Sequence, residues 1–377
     1  MDEPQTSICF ERRLLIMNKI ESVMDLEMIL HQFGIDAGGA AIIPIHQGLI
    51  NHTWKIETAL KAFILQQVNH TVFERPLDVA DNISLVAAYL SRHSPGYVFP
   101  APVKTIHGEN LFKSAAGQYY RVFPFIGGSH TINSVQTPEQ AFEAAKQFGK
   151  FTAVLRDFDT SQLKTTIPSF HDLEMRYQQF LEALDNGNEE RKKESAEIIE
   201  CLQNWSHIVE TFKQLKSDPD FKVRVTHHDT KINNVLFDAS DKAICVIDLD
   251  TLMPGYFISD VGDMMRTYLS EATEEQDPGE VRVRLDMYEA IVTGYLKEMK
   301  DDLTVKEKEN FFYAGEFMIY MQALRFLTDH LNNDRYYGAA WPGQNFKRAL
   351  NQVTLLQQFL ALKEMVQSQM PDAAHYL

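Results

Sequence analysis

The chain changes its hydrophobic period once, near Gly127-Gly128, and that change limits the folds open to it. Before it, residues 41–45, 53–57, 62–68 and 119–125 are short runs of β-branched and aromatic residues between polar or glycine punctuation. Residues 76–90 interrupt them with helical spacing that puts Val79, Ile83, Val86 and Leu90 on one side. A mostly antiparallel sheet with one helix is expected there. After the glycine pair, Thr137-Pro138-Glu139-Gln140 reads as a helix start, with a capping hydroxyl, a proline at the first position and Gln three residues on. A long helix over 189–216 follows, its stripe formed by Ile198, Leu202, Trp205, Val209 and Phe212. More helices are expected over 280–296, 306–331 and 346–366. One β segment breaks the pattern: a strand at 222–226, then a hairpin of 235–237 and 243–247 about a turn at 238–241. The expected fold is α+β and two-lobed. A small antiparallel-sheet lobe spans 1–125, led by a helix opening at Met17. A large, mainly helical lobe spans 126–377, and a cleft between them is the expected ligand site.

The formal charge of −16 opposes phosphate-backbone binding and so nucleic acid as a partner. Cys9, Cys201 and Cys245 lie far apart without CxxC spacing, which suits a reducing compartment and gives no zinc or disulfide framework. No apolar run reaches membrane-span length, and the acidic first residues lack a signal peptide's basic start. A cytoplasmic chain without nucleic-acid or membrane partners is therefore expected.

Chemistry concentrates in residues 226–250, THHDTKINNVLFDASDKAICVIDLD. His227-x-Asp229 is followed by Asn234, and Asp248 closes an apolar strand. Pairing Phe237 with Lys242 across the turn sets Asn234 near Cys245 and brings Asp248 beside the loop of Asp229 and Asn234. Such a set suits phosphoryl transfer. One carboxylate, Asp229, orients the attacking hydroxyl, while Asn234 and Asp248 offer hard oxygens to Mg²⁺ on a triphosphate. Asp250 points the same way along the strand and is a further metal candidate. Singly, these residues are ordinary turn formers; their spacing carries the argument.

The segment resembles the aminoglycoside phosphotransferase and choline kinase superfamily, of protein-kinase-like fold. Its H-x-D-x-x-x-x-N loop and I-D-x-[DE] strand end are matched by His227, Asp229, Asn234 and Ile247-Asp248-Leu249-Asp250. Asp260-Val261-Gly262 is similar to the family's later loop-bracing sequence, and His227 is implied to hold the loop structurally. Asp260 has helix capping as its alternative. The resemblance implies ATP and Mg²⁺ as cofactors. It places Gly48, Asn51 and Thr53 in a phosphate-covering hairpin, Gln66 on the third strand, and Pro124, Phe125 and Ile126 at an adenine-reading hinge. Gln66 stands where kinases usually carry a lysine, and Asp81 or Glu74 is the nearest acidic partner on the following helix. Within the superfamily, the stretches at 50–54, 65–69, 167–172, 247–255 and 325–329 most resemble N-acetylhexosamine 1-kinases. That implies an amino-sugar acceptor phosphorylated at its anomeric hydroxyl, with Asp229 facing it and Arg325, Asp329 and Tyr337 as further acceptor ligands. Alternatives are a kinase of choline, homoserine, methylthioribose or an aminoglycoside, and a non-catalytic kinase-shaped binding protein.

Overall fold

The computed structural model describes residues 23–46 and 50–369, so the expected helix opening at Met17 lies partly outside them. Two compact units divide the chain: one holds the residues up to Ser84 with Pro100–Gly127, the other Leu85–Phe99 with Gly128 onward.

The first unit opens with α1 (Val23–His31), followed by β1 (Ala41–Ile45), β2 (His52–Glu57) and β3 (Ala62–Val68). Helix α2 (Pro76–His93) comes next, counted with this unit up to Ser84, and then β4 (Phe112–Lys113) and β5 (Tyr119–Pro124). Among the described residues the strands form one antiparallel sheet in the order β1-β2-β3-β5-β4. Ile56, Leu65, Tyr120 and Val122 are buried with Leu26, Ile29 and Leu30, the apolar stripe of α1, and with Phe33 in the turn after it. Each such side chain contributes roughly 1.5–3 kcal/mol by leaving water, so α1 fixes which sheet face is the core. Register leaves Thr53, Gln66 and Arg121 aligned across β2, β3 and β5.

The second unit contains α3 (Pro138–Val154), α4 (Leu173–Asn186), α5 (Glu189–Glu194), α6 (Ala196–Asn204) and α7 (His207–Ser217). Strands β6 (Val223–Thr226), β7 (Val235–Phe237), β8 (Ala243–Val246) and β9 (Met253–Tyr256) precede α8 (Phe257–Tyr268), α9 (Leu285–Met299), α10 (Val305–Lys308), α11 (Phe311–Leu331) and α12 (Gln344–Gln369). Thr137 caps α3 as its sequence requires, accepting from the Gln140 N–H at 3.4 Å. Helix α11 is buried on nearly every side, with α8, α12 and α4 packed around it.

Four sequence expectations change here. The helix expected over 189–216 is three helices, because Ser195 and then Trp205-Ser206 take up turns. Its stripe survives the breaks, with Ile198, Leu202, Val209 and Phe212 buried. The helix expected over 306–331 divides at Glu309-Asn310, leaving a single turn, Val305–Lys308, that opens on a Thr304–Glu307 capping box and is tied down by Glu307 to Arg224 at 2.9 Å. Strand β9, pairing antiparallel with β6, is hidden in the sequence by Pro254 and Gly255, both poor strand residues. The hairpin register is also shifted. Val235 pairs with Val246 and Leu236 with Cys245, with an irregularity before Phe237 pairs with Ala243. The cause is Asp238, whose Oδ1 accepts from both Ser240 and Lys242 N–H groups and widens the turn.

Gly262 lets α8 lie against α11. A Cβ there would strike the Ala314 carbonyl oxygen and approach Met318 Cβ to 2.8 Å. Alanine gains ~1 kcal/mol of helix propensity, but the obstruction is backbone, and overpacking of that kind costs about 1–3 kcal/mol. Gly262→Ala is therefore expected to lower the urea midpoint of unfolding, and an unchanged or raised midpoint would contradict this account.

Candidate active site

The site is built on the loop that leaves β6 at Thr226 and re-enters sheet structure at β7. Much of its backbone is held by α8. The buried Asp260 carboxylate accepts from the N–H groups of His227 at 3.1 Å and His228 at 2.7 Å. One turn along, Asp263 accepts from the Thr230 N–H at 2.8 Å and pairs with Arg266 at 2.9 Å. The Thr230 hydroxyl donates to the Asp260 carbonyl at 2.7 Å, and Tyr268 Oη donates to the Thr230 carbonyl at 2.5 Å. Asp260 thus braces the loop, the alternative to simple capping. Burial pushes its carboxyl up to about 7, with the two N–H donors pulling the other way.

His227 is fully buried. Its Nε2 lies 2.9 Å from the Ile247 carbonyl, and the Phe148 ring meets it edge-on at 5.3 Å. It therefore ties the loop to the end of β8. His228 has a left-handed backbone (φ 67°) and aims Nδ1 at the carbonyls of Thr226 (3.2 Å) and Thr251 (3.1 Å). A Cβ on Gly255 would collide with its Nε2, so β9 needs glycine at that point.

Within this frame the Asn234 amide nitrogen lies 2.9 Å from the Asp229 carbonyl and 3.1 Å from Asp229 Oδ2. Lys231 Nζ sits 3.2 Å from Asp229 Oδ1. Burial raises the Asp229 carboxyl, but Lys231, His227 and Arg266 outweigh it and hold the group below its ordinary value. The Asn234 amide nitrogen is thus engaged with Asp229, and its amide oxygen is the acceptor the side chain has left to offer. The Ile247 N–H donates to the Asn234 carbonyl at 2.8 Å, so Asp248 follows directly on the residue paired to Asn234. Asp248 is exposed and left-handed (φ 59°). Three oxygen-bearing residues thus gather at one end of the hairpin, despite its shifted register.

Asp250 departs from expectation. After Asp248 the backbone enters a 3₁₀ turn, Leu249–Thr251, so strand alternation stops and Asp250 is buried while Asp248 is exposed. Among the described residues no three His, Cys, Asp or Glu side chains form a metal-holding group. A divalent cation at Asn234 and Asp248 would take its remaining ligands from phosphate and water, the habit of Mg²⁺. The all-oxygen donor pair fits that ion.

The sugar-ligand candidates fall on α11 and the loop after it. Arg325 Nη1 donates to Gln322 Oε1 at 3.2 Å, and its Cζ lies 5.6 Å from the Phe170 ring and 5.5 Å from that of Tyr337. Tyr337 Oη accepts from Gln322 Nε2 at 3.3 Å. Asp329 has a different task from the one expected. It is 3% exposed, and its two oxygens accept from the N–H groups of Tyr336 (2.7 Å) and Tyr337 (2.9 Å) and from the Asn345 amide (3.0 Å). It folds the loop that presents Tyr337.

In the first unit, Gly48 lies outside the described residues. Asn51 Oδ1 accepts from the Asn69 N–H at 2.9 Å, closing the ends of β2 and β3. Gln66 donates from Nε2 to Thr53 Oγ1 at 3.3 Å and accepts at Oε1 from Arg121 Nε at 2.9 Å. Asp81 Oδ1 accepts from the Asn110 amide at 3.0 Å. Pro124 pairs with Phe63 at the end of β5, and the half-buried Ile126 follows Phe125. The Phe125 N–H donates to the Ala62 carbonyl at 3.0 Å, so that amide is committed to the sheet and not turned outward as a hinge donor.

Sequence reasoning passed over Arg121 and Lys231. Arg121 is a lone cation within the apolar run Tyr119-Tyr-Arg-Val-Phe123, itself a signal, and Lys231 stands two residues from Asp229.

Burial lowers the His228 imidazole from 6.5 to about 4. Between those values the unfolded chain binds a proton that the folded chain excludes, so stability is lost as pH falls through the window. The loss from this residue is expected to reach about 3 kcal/mol. Denaturation followed against pH should show that slope, and His228→Asn, which tolerates the left-handed backbone, should flatten it. An equal slope in both proteins would refute the assignment.

The family model described as phosphotransferase enzyme family matches residues 41–296. Among solved structures, an aminoglycoside phosphotransferase from Alicyclobacillus acidocaldarius superposes with a TM-score of 0.59 at 15% identity, covering 91% of this chain and 96% of that one. An amicoumacin kinase solved with AMP-PNP and Ca²⁺ gives 0.62 at 13% identity, covering 92% and 98%. A choline kinase from Cryptosporidium parvum Iowa II gives 0.52 at 14%, covering 89% and 92%. At these identities the likeness is one of fold, and the mixed architecture described above matches it. Among the described residues no helix is long and apolar enough to cross a membrane.

Proposed function

This chain belongs to the phosphotransferase enzyme family, and within it we propose that it moves the γ-phosphoryl group of ATP to the anomeric hydroxyl of an N-acetylhexosamine. The observation that carries the phosphotransferase part is the Asp229–Asn234 pair, its amide nitrogen on the carboxylate, with Asp248 next to the paired Ile247. Nucleotide-bound forms of similar folds support the donor, since one was solved with AMP-PNP and Ca²⁺. The resemblance of the sequence stretches at 247–255 and 325–329 to N-acetylhexosamine 1-kinases supports the acceptor.

Asp229, held below the usual carboxylate range by Lys231 and His227, is ionised at neutral pH. It accepts a hydrogen bond from the acceptor hydroxyl, aligns that oxygen on the γ-phosphorus and takes its proton as the new O–P bond forms and the bond from the γ-phosphorus to the β,γ-bridging oxygen breaks, releasing ADP. Lys231 stays on the far carboxylate oxygen and fixes the rotamer. Asn234 Oδ1 and the exposed Asp248 carboxylate would hold Mg²⁺, with Asp250 as a further candidate through water. A divalent ion at those residues would supply charge neutralisation to the phosphate oxygens. For the nucleotide the resemblance offers Gly48, Asn51, Thr53, Gln66, Pro124 and Ile126, and Phe125 other than through its N–H, which the Ala62 carbonyl holds. Position 66 itself need not carry a cation, because the Arg121 guanidinium stands across from Gln66 on β5.

Asp229→Asn is expected to keep fold and nucleotide affinity and lose roughly two to four orders of magnitude in turnover, the usual weight of general-base catalysis. Unchanged ADP release in that variant removes Asp229 from the mechanism. Asp248→Ala should abolish the metal dependence of nucleotide binding, read by calorimetry with and without Mg²⁺; a dependence that persists assigns the ion to other ligands. Phosphorus NMR of products from a panel of amino sugars, amino alcohols and antibiotics reports both the acceptor and the phosphorylated position.

A further inference from the structure

Two carboxylates of α8, one turn apart, hold the catalytic loop, and they are not themselves held alike. Asp260 receives the N–H groups of His227 and His228, while Asp263 receives that of Thr230 on Oδ2 at 2.8 Å. The other Asp263 oxygen, Oδ1, is taken by one guanidinium. Arg266 reaches it with Nε at 3.0 Å and with Nη2 at 2.9 Å. Two donors on one oxygen fix the plane of the carboxylate, and that plane aims Oδ2 at the loop. Asp263 is buried, and among the described residues Arg266 is the one cation within ion-pair distance of it. The Thr230 peptide links Asp229 to Lys231, whose Nζ lies 3.2 Å from Asp229 Oδ1. Holding its N–H therefore sets the direction in which both side chains leave the backbone.

The remaining Arg266 nitrogen, Nη1, donates the other way, to Glu274 Oε2 at 3.1 Å, in the stretch between α8 and α9. That stretch is fastened to α12. Glu274 Oε1 lies 3.8 Å from Arg348 Nη2, and Arg348 also pairs with Glu275. Gln344 Nε2 donates to Glu275 Oε1 at 3.0 Å, and Asn351 Nδ2 to the Thr273 carbonyl at 3.1 Å. Arg266 is thus gripped from two sides, by a carboxylate on its own helix and by one anchored on α12. A planar fork with three nitrogens can span both; a single ammonium cannot.

We infer that Arg266 is a positioning residue for phosphoryl transfer: it orients Asp263 to hold the Thr230 peptide, and Glu274, outside the catalytic loop, is the anchor that keeps Arg266 in place. The inference rests on the phosphotransferase reading only in giving Asp229 its role in turnover. Removing Arg266 leaves a buried carboxylate without its cation, and such a group turns towards water or takes up a proton, either of which loosens its hold on the loop.

Hydrogen exchange of the full chain, read by mass spectrometry, tests the geometry, and ADP release tests its consequence. In Arg266→Gln, exchange over residues 227–232 is expected to quicken about tenfold while β8 keeps the parent's rate. With Mg-ATP and a 2-acetamido-2-deoxyhexose, kcat should fall about tenfold or more and the KM for ATP should stay within about threefold, since Asn234 and Asp248 are untouched. Adding Asp263→Asn to Arg266→Gln should restore most of both losses, because an amide oxygen still accepts from Thr230 and the unpaired charge is gone. Glu274→Ala, at a side chain 31% exposed, should reproduce the effect in part, about threefold in exchange and in kcat. That variant and the double variant decide the matter if Arg266→Gln alone does not fold. Parent-like exchange over 227–232, quickening spread equally over β8, an unchanged kcat, or a double variant no better than the single each overturns the inference. A parent that releases no ADP with the sugar defeats the proposed acceptor, and the exchange rates still decide whether Arg266 holds the loop.

Discussion

The rest of the site depends on one buried carboxylate that accepts two consecutive backbone N–H groups. Asp260 sits in the first turn of α8, and its oxygens receive His227 and His228. Without an acceptor those N–H groups would each cost about 1–3 kcal/mol as buried unsatisfied donors. With it, the loop leaves β6 along a single path, His228 takes its left-handed conformation, and Asp229 emerges beside Asn234. Gly262, two residues on, lets the same helix settle against α11, so the brace is anchored in the most buried part of the second unit. Loop geometry is thereby coupled to core packing.

The short β-rich runs before Gly127 were enough to read four of the five strands of the first unit, with β1 and β3 on the expected residues, while the two-residue β4 is too short to leave a pattern. The loop of Asp229 and Asn234 was legible for another reason: its spacing is informative even without a fold. What escaped notice depended on side chains reaching backbone at a distance in sequence. Asp238 moves the hairpin register by capturing two turn N–H groups. Asp329 entered as a ligand through the resemblance alone, yet it folds the following loop. Asp250 looked equivalent to Asp248 only while the strand was taken to continue. Lys231 and Arg121 each look like ordinary charged residues until their partners, Asp229 and Gln66, are seen.

Net charge was a poor guide to local field. The chain carries a formal −16, but the catalytic loop sits among paired charges, Asp229 with Lys231 and Asp263 with Arg266. The field at short range follows which charges face one another, and composition does not report that.

The left-handed backbone at Asp248 has a consequence for how this chain tolerates change. An aspartate in that conformation carries roughly 1 kcal/mol of strain that glycine would not. Screens for heat resistance would thus tend to enrich glycine at position 248, discarding the exposed carboxylate in the process. Rigidity and reactivity compete there at a single residue, and selection for one erodes the other.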